Sequence, residues 1–146
     1  MKELKDYQNL ILDWAKDKNI ETEDCIPMQK LKLIEGVGEL AKAVLKNDKK
    51  EQLDGVGDIF VVLTILAEQN KEEFTLDSIT INFSNDSLAD LLSTIIYDEY
   101  TVGFETILEV CKRLDLNILD CVEFAWNEIK DRKGKTVEGT FLKDEK

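Results

Sequence analysis

Two short repeats in the chain each place a pair of acidic side chains four residues apart around the tripeptide Gly-Val-Gly. Because residues four apart lie on the same face of an α-helix, each repeat directs two carboxylates the same way. Four convergent carboxylates suit a hard divalent cation such as Mg²⁺, with Mn²⁺ as the alternative ion. The repeats therefore predict a metal site formed by Glu35, Glu39, Asp54 and Asp58.

The second repeat lies in a segment whose pattern predicts a buried helix. From Leu53 to Leu66, apolar residues occupy nearly the whole circumference at ~100° per residue. Asp54 and Asp58 then have little access to water, and an unpaired buried carboxylate is costly or takes up a proton. We expect a positive partner beside these two acids, and one cation would serve both.

The first repeat lies in an amphipathic segment that runs from Met28 to Lys46. Its polar face carries Lys32 together with Glu35 and Glu39, at spacings that form weak ion pairs of about 0.3–0.5 kcal/mol. Two interpretations stay open: a solvated charged face, or a row of ligands directed at the second repeat. The presence of the second repeat favours the ligand interpretation.

Composition predicts one all-α domain. The chain has 146 residues, 43% of them hydrophobic, and a single proline. That length can bury one core, so we expect a single domain over residues 1–146, and the low proline content favours helices. The apolar circumference of the second repeat predicts a helical bundle whose core is completed by dimerisation, although packing of the later helices would also cover it.

Charge and residue usage exclude several classes of protein. Thirty-one acids against 19 bases give a net charge of −12, which repels a phosphate backbone, so we expect no general nucleic-acid binding. The absence of histidine excludes zinc–histidine sites and Ser-His-Asp triads. The three cysteines lack C-x-x-C spacing and are expected to be reduced and packed. Nothing resembles a signal peptide or a membrane span, which predicts a cytoplasmic protein without a membrane partner.

Helical periodicity and capping residues predict six helices. Pro27 opens the second, Asp48 begins a capping box before the third, and Asn117 caps the last. Gly103 is expected to separate the fourth helix from the fifth, and residues 74–83 are expected to form a loop, a short strand or an elaboration on the bundle. The predicted helices cover residues 4–18, 27–46, 53–68, 88–100, 104–114 and 118–130.

The end of the last predicted helix carries a basic cluster, with four of the chain's 19 bases in residues 130–135. One interpretation is a helix C-terminus, where basic side chains suit the dipole and Gly134 forms a left-handed cap. The other is a clamp for a triphosphate, and both can hold at once. Trp14 and Trp126 likewise suit either stacking on a base or packing in the core.

Segments 29–40, 54–59 and 125–135 together resemble the MazG-like all-α nucleoside triphosphate pyrophosphohydrolases, in particular the short phage-type members. The resemblance extends over about 7–66 and 106–143, and about 70–105 is an apparent insertion. The family pattern is Glu-Glu-x-x-Glu followed by Glu-x-x-Asp. Two of its acidic positions are glycine here, while an acid stands one residue upstream of each and keeps to the same helical face. These glycines are Gly36 and Gly55, and the upstream acids are Glu35 and Asp54.

The resemblance implies a Mg²⁺-dependent enzyme that splits a ribo- or deoxyribonucleoside triphosphate into the monophosphate and pyrophosphate. It also implies a homodimer or a dimer of dimers. In such an enzyme Glu35 is our candidate for the general base, and Lys32 for a catalytic contact with phosphate. The substrate-binding residues expected on this basis are Lys32, Trp14, Asn127, Lys130, Arg132 and Lys133.

Two alternatives to an active enzyme stay open. A MazG-like module that binds nucleotides or regulates another protein would keep the fold and lack turnover because of Gly36 and Gly55. A purely structural helical oligomer would respond to neither metal nor nucleotide. Nucleotide binding without turnover would indicate the first alternative, and the absence of any response would indicate the second.

Overall fold

The computed structural model describes residues 2–72, 81–97 and 99–144. Within these residues the chain forms six α-helices and one short β-hairpin, so the predicted all-α class is confirmed. The hairpin pairs β1 (Gly134–Val137) with β2 (Thr140–Lys143) in antiparallel register. The helices are α1 (Leu4–Asp17), α2 (Ile26–Leu45), α3 (Lys49–Gln69), α4 (Leu88–Tyr97), α5 (Tyr100–Leu114) and α6 (Ile118–Ile129).

Side-chain caps fix where two of the helices begin. The Asp48 carboxylate accepts a hydrogen bond from the backbone N–H of Glu51 at 3.1 Å and opens α3. The Asn117 side-chain oxygen accepts one from the N–H of Asp120 at 3.1 Å and opens α6. Such caps satisfy donors that the first helical turn leaves without partners. The caps at Asp48 and Asn117 are confirmed, as is Pro27 in the first turn of α2. The predicted start of the third helix at Leu53 is wrong, because the Asp48 cap opens α3 at Lys49.

Helices α2 and α3 form an antiparallel pair joined by a short turn. A Cβ atom built on Gly36 would lie 3.4 Å from Cγ1 of Ile59, and one built on Gly55 would lie 3.4 Å from Cβ of Leu40. Later residues of α2 therefore face earlier residues of α3. This register brings the two acidic repeats to the same level of the bundle.

Helix α3 is the centre of the fold, because α1, α2, α5 and α6 all pack against it. Its side chains are buried on nearly every side, which confirms the prediction of a buried helix. Phe60 of α3 meets Phe104 of α5 edge to face, with ring centroids 5.5 Å apart. Burial of a side chain of this size stabilises the fold by roughly 1.5–3 kcal/mol.

Two glycines have roles other than those predicted. Gly103 lies inside α5, where a Cβ atom would come within 3.3 Å of the Leu63 side chain, so it marks a close helix contact and not a break. Gly134 begins β1 and does not form a left-handed cap; among the described glycines, Gly139 has the positive φ. The predicted loop or strand at 74–83 lies mostly outside the described residues, and 81–83 have no regular structure.

The cysteines agree with the prediction, because Cys25, Cys111 and Cys121 are buried and form no disulfide. No helix in the described ranges combines the length and apolar character that a membrane span requires.

Candidate functional site

Three carboxylates converge where α3 passes α6. Asp54 and Asp58 project from α3 and Glu128 from α6, and one oxygen of each lies within 4.8 Å of the others. The helices approach closely because α3 presents Gly57 to α6: a Cβ atom there would overlap the Cys121 carbonyl oxygen. The absence of a side chain at Gly57 thus allows acids of two helices to share one point.

The convergence of these carboxylates makes it unfavourable for Asp58 to ionise. Burial first, and then the charges of Asp54, Glu128 and Glu39, together raise its pKa from 3.8 to about 7, while Arg132 acts in the opposite direction. Burial raises the pKa of Asp54 as well. Like charges at this spacing repel unless a cation or a proton lies between them.

The donor set fits a hard divalent cation. One oxygen of Asp54, Oδ1, is buried and has no hydrogen-bond partner among the described residues. A buried acceptor without a partner costs roughly 1–3 kcal/mol. Carboxylate oxygens from three residues are the ligand type that Mg²⁺ and Mn²⁺ prefer, and a cation would satisfy the orphaned oxygen.

Beside the cluster lies a pocket of about 460 Å³, bounded by α2, α3, the end of α6 and the β-hairpin. Four carboxylates and three cationic side chains contribute to its lining, so it can receive a charged ligand. The acids are Glu35, Glu39, Asp58 and Glu128, and the cations are Lys32, Arg132 and Lys143.

The acids of the first repeat occupy a different position from those of the second. Glu35 and Glu39 are exposed on α2 and line the pocket, but they do not belong to the three-carboxylate cluster. Glu35 forms an ion pair with Lys32, with Nζ and Oε1 3.4 Å apart and both side chains more than half exposed. These residues therefore face the cluster across the pocket.

The predicted substrate-binding residues divide into two groups. Trp14, Lys32 and Arg132 line the pocket. The others lie outside its lining and are exposed on α6 and just after it, namely Asn127, Lys130 and Lys133. The other tryptophan, Trp126, packs against the hydrophobic core.

Sequence reasoning missed Glu128 and the hairpin wall. Glu128 lies seven residues after the buried Cys121 and three after the buried Ala125, which places it at the edge of the apolar stripe of α6. That spacing places the carboxylate beside whichever helix covers the stripe, but it does not say which helix that is. Nothing comparable indicated the hairpin.

Comparison with known proteins gives one partial likeness. The chain is 39% identical over 79 residues to a Haemophilus phage HP1 (strain HP1c1) protein described as "Uncharacterized 18.2 kDa protein in rep-hol intergenic region". The match includes 52% of this chain and 48% of the phage protein, so the chain spans about half the length of that relative. No family model and no solved structure matches the chain. The likeness is to a phage protein whose description names no activity.

Proposed function

We propose that the protein is a Mg²⁺-dependent nucleoside triphosphate pyrophosphohydrolase, which converts a ribo- or deoxyribonucleoside triphosphate and water into the monophosphate and pyrophosphate. The observation that carries the proposal is the convergence of Asp54, Asp58 and Glu128 beside a pocket that also contains cations. A site for a polyphosphate needs a metal ion and basic side chains, because the metal binds phosphate oxygens and the basic side chains offset the remaining negative charge.

Asp54, Asp58 and Glu128 would hold the ion, and Glu39 lies close enough to influence Asp58. When bound, Mg²⁺ supplies positive charge that attracts phosphate oxygens and makes the α-phosphorus more electrophilic. The site therefore has a place for the metal and, in the adjoining pocket, a place for the substrate.

The chain's own groups account for the rest of the reaction. Arg132 and Lys32 line the pocket and would offset the charge of the phosphates. Glu35 would accept the proton of the attacking water as the water oxygen bonds to the α-phosphorus. The bond from that phosphorus to the bridging oxygen breaks, and pyrophosphate leaves with the electron pair. Lys32, already paired with Glu35, would orient this base.

A binding module without turnover is the second candidate, and the two glycines favour it. Gly36 and Gly55 are buried, and Gly55 lies against Leu40, so no acid occupies these two family positions. An enzyme must then rely on Asp54, Asp58 and Glu128 for its metal. A module that only binds would retain the pocket and lack hydrolysis.

Incubation with a panel of ribo- and deoxyribonucleoside triphosphates and Mg²⁺, with product identification, separates the candidates. The proposed enzyme releases pyrophosphate, and only when a divalent cation is present. Release of orthophosphate alone would refute the proposed bond cleavage. Thermal stabilisation by nucleotide without any product would support the binding module.

A further inference from the structure

The pocket has a charged end and an apolar end. On α3, Asp58 and Ile65 both line it, and seven residues of helix separate them by about 10 Å. On α2, Glu39 and Gln29 both line it. Because α2 and α3 are antiparallel, Gln29 lies at the same end as Ile65. A ligand bound at the carboxylates can therefore extend along α3 into an apolar compartment.

The hairpin forms one wall of this apolar compartment and is fixed in place at several points. The Thr136 hydroxyl donates a hydrogen bond to the Lys18 carbonyl at 2.6 Å, which holds β1 against the residue that follows α1. Within the hairpin, the N–H of Asp144 donates one to the Lys133 carbonyl at 2.7 Å and closes its base. Its turn places Gly139 at φ +78°, against the backbone of Asp24. A side chain at Gly139 would both strain the turn and push the hairpin outward.

Two aromatic rings, those of Trp14 and Phe141, form an aromatic corner in the apolar compartment. Phe141 of β2 meets Trp14 of α1 with ring centroids 5.5 Å apart and an angle of 67° between the planes. Both rings line the pocket, as does Gln29. The Gln29 side-chain oxygen is buried and has no hydrogen-bond partner within the described part of the chain. The compartment thus offers flat aromatic surface, an acceptor on Gln29 that needs a donor, and an indole N–H on Trp14 that needs an acceptor.

We infer that Phe141, Trp14 and Gln29 form the subsite that recognises the base of the substrate, with the hairpin as its wall. A flat heterocycle stacks in the aromatic corner and donates an N–H to the Gln29 oxygen. This assignment rests on the proposed function, because the phosphates hold the ligand at the carboxylate end. This subsite gives the hairpin a second contribution to the pocket, besides Lys143, the one cationic side chain of the hairpin in the lining.

The test compares two ligands that share phosphates and differ in the base. The first is a nucleoside triphosphate with a methylene group in place of the oxygen between the α- and β-phosphorus atoms, which prevents the proposed cleavage. The second is inorganic tripolyphosphate. Both are titrated by calorimetry with Mg²⁺ present into wild-type protein, Phe141→Ala, Phe141→Leu and Phe141→Tyr.

Phe141→Ala and Phe141→Leu are expected to weaken nucleotide binding at least about tenfold, the effect of losing one stacked ring, and to leave tripolyphosphate binding unchanged. Phe141→Leu removes the ring but keeps a large apolar side chain at this position, so the hairpin should stay folded. Phe141→Tyr retains the ring and should bind nucleotide as the wild type does. Val137→Ala is the matched control, since Val137 lies on the same hairpin outside the pocket lining.

The outcomes separate this inference from the proposed function. Wild-type protein that cleaves nucleotides while every Phe141 variant binds them normally would overturn the base subsite and leave the enzyme intact. Equal losses of affinity for the nucleotide and for tripolyphosphate would also overturn the base subsite, because the hairpin would then support the whole pocket. Wild-type protein that binds neither ligand would overturn both proposals.

Discussion

At Asp58, burial of the side chain conflicts with the negative charge that it carries when ionised. It lies on the central helix, and burial together with three neighbouring carboxylates raises its pKa to about 7. A group whose pKa is raised on folding stabilises the fold while it keeps its proton and loses that contribution as it ionises. Without metal, Asp58 therefore opposes folding at and above neutral pH.

The sign of this effect gives the first prediction. Between pH 3.8 and about 7, folded protein holds a proton on Asp58 that unfolded protein has released, so rising pH favours unfolding in this window. Asp58→Asn removes this slope. We expect its metal-free melting temperature to exceed that of the wild type at pH 8 by about 2–4 °C, and to exceed it less at pH 5.

Mg²⁺ provides the control for that comparison. It should raise the melting temperature of the wild type at pH 8 and change that of Asp58→Asn little, because the variant lacks a charged ligand. A variant that is less stable than the wild type at pH 8 without metal would show that Asp58 is already stabilised by other contacts.

The second prediction concerns the acids that act on the metal and the substrate. We expect at least about a hundredfold loss of Mg²⁺-dependent hydrolysis, in protein that stays folded, for each of Glu39→Gln, Asp58→Asn and Glu128→Gln. Substitution of residues that only support a metal ligand already lowers metal affinity or activity about 10–100-fold. The measurement is the initial rate of pyrophosphate release together with far-UV circular dichroism. Glu68→Gln, an exposed acid farther along α3, should keep full activity. Undiminished rates in Asp58→Asn and Glu128→Gln would contradict the ligand assignment.

The sequence indicated part of this site. Spacing alone placed Asp54 and Asp58 on one face of a buried helix, and the structure has them there. It did not identify Glu128, because the crossing of α3 and α6 depends on Gly57 meeting Cys121, a contact between residues distant in sequence. Local periodicity describes a helix face but not which other helix covers it.

At the scale of elements, the crossing of α3 and α6 at Gly57 is the contact that brings the carboxylates together. A Cβ atom on Gly57 would overlap the Cys121 carbonyl oxygen and lie 2.9 Å from Cβ of Ala125. Backbone cannot move aside as a flexible side chain does. The two helices must therefore separate if this position gains a side chain.

The third prediction follows from that contact. Gly57→Ala should lower the free energy of unfolding by about 1–3 kcal/mol through overpacking, and should reduce the amount by which Mg²⁺ raises that free energy, because Glu128 moves away from α3. Chemical denaturation with and without Mg²⁺ measures both effects.

Gly38→Ala is the matched control, since it lies exposed on α2 with open space around its Cβ position. It should raise the free energy of unfolding by about 0.5–1 kcal/mol, the usual gain for alanine over glycine inside a helix. Equal stability of the two variants would mean that the helices do not touch at Gly57.

Helices were predictable and the hairpin was not. Apolar periodicity and the caps at Asp48 and Asn117 defined α3 and α6 to within a few residues. The strands are four residues long, and the turn at Glu138 and Gly139 lacks the Asn-Gly or Asp-Gly pair that signals a hairpin. The predicted break at Gly103 was wrong, because a glycine that permits a close helix contact looks the same in sequence as one that ends a helix.

At the scale of the whole molecule, α1, α2, α5 and α6 of one chain already bury α3, so the apolar circumference of α3 does not itself require a second copy. An exposed apolar area on α2 and α4 is the surface that bears on the expected dimer. Ile34 and Tyr97 line one shallow groove and are 49% and 89% exposed, and Leu31 lies one turn before Ile34. Apolar side chains grouped in this way are typical of a contact between proteins. If the dimer implied by the family resemblance forms, this area is the surface that we expect a second copy of the chain to cover.

The fourth prediction is that light scattering gives at least twice the chain mass of 16.7 kDa. Ile34→Glu should shift the protein towards a single chain, because it buries a charge in the contact. Leu45→Glu, at the far end of α2 and 88% exposed, should not. A wild-type protein of 16.7 kDa at micromolar concentration would contradict the proposed dimer.

The most direct test of the account is hydrolysis of a nucleoside triphosphate in ¹⁸O-labelled water with Mg²⁺, followed by phosphorus NMR. Attack at the α-phosphorus predicts ¹⁸O in the monophosphate and none in the pyrophosphate, with no turnover when Mg²⁺ is removed. Label in orthophosphate, or cleavage that continues without a divalent cation, would contradict a pyrophosphohydrolase built on these carboxylates.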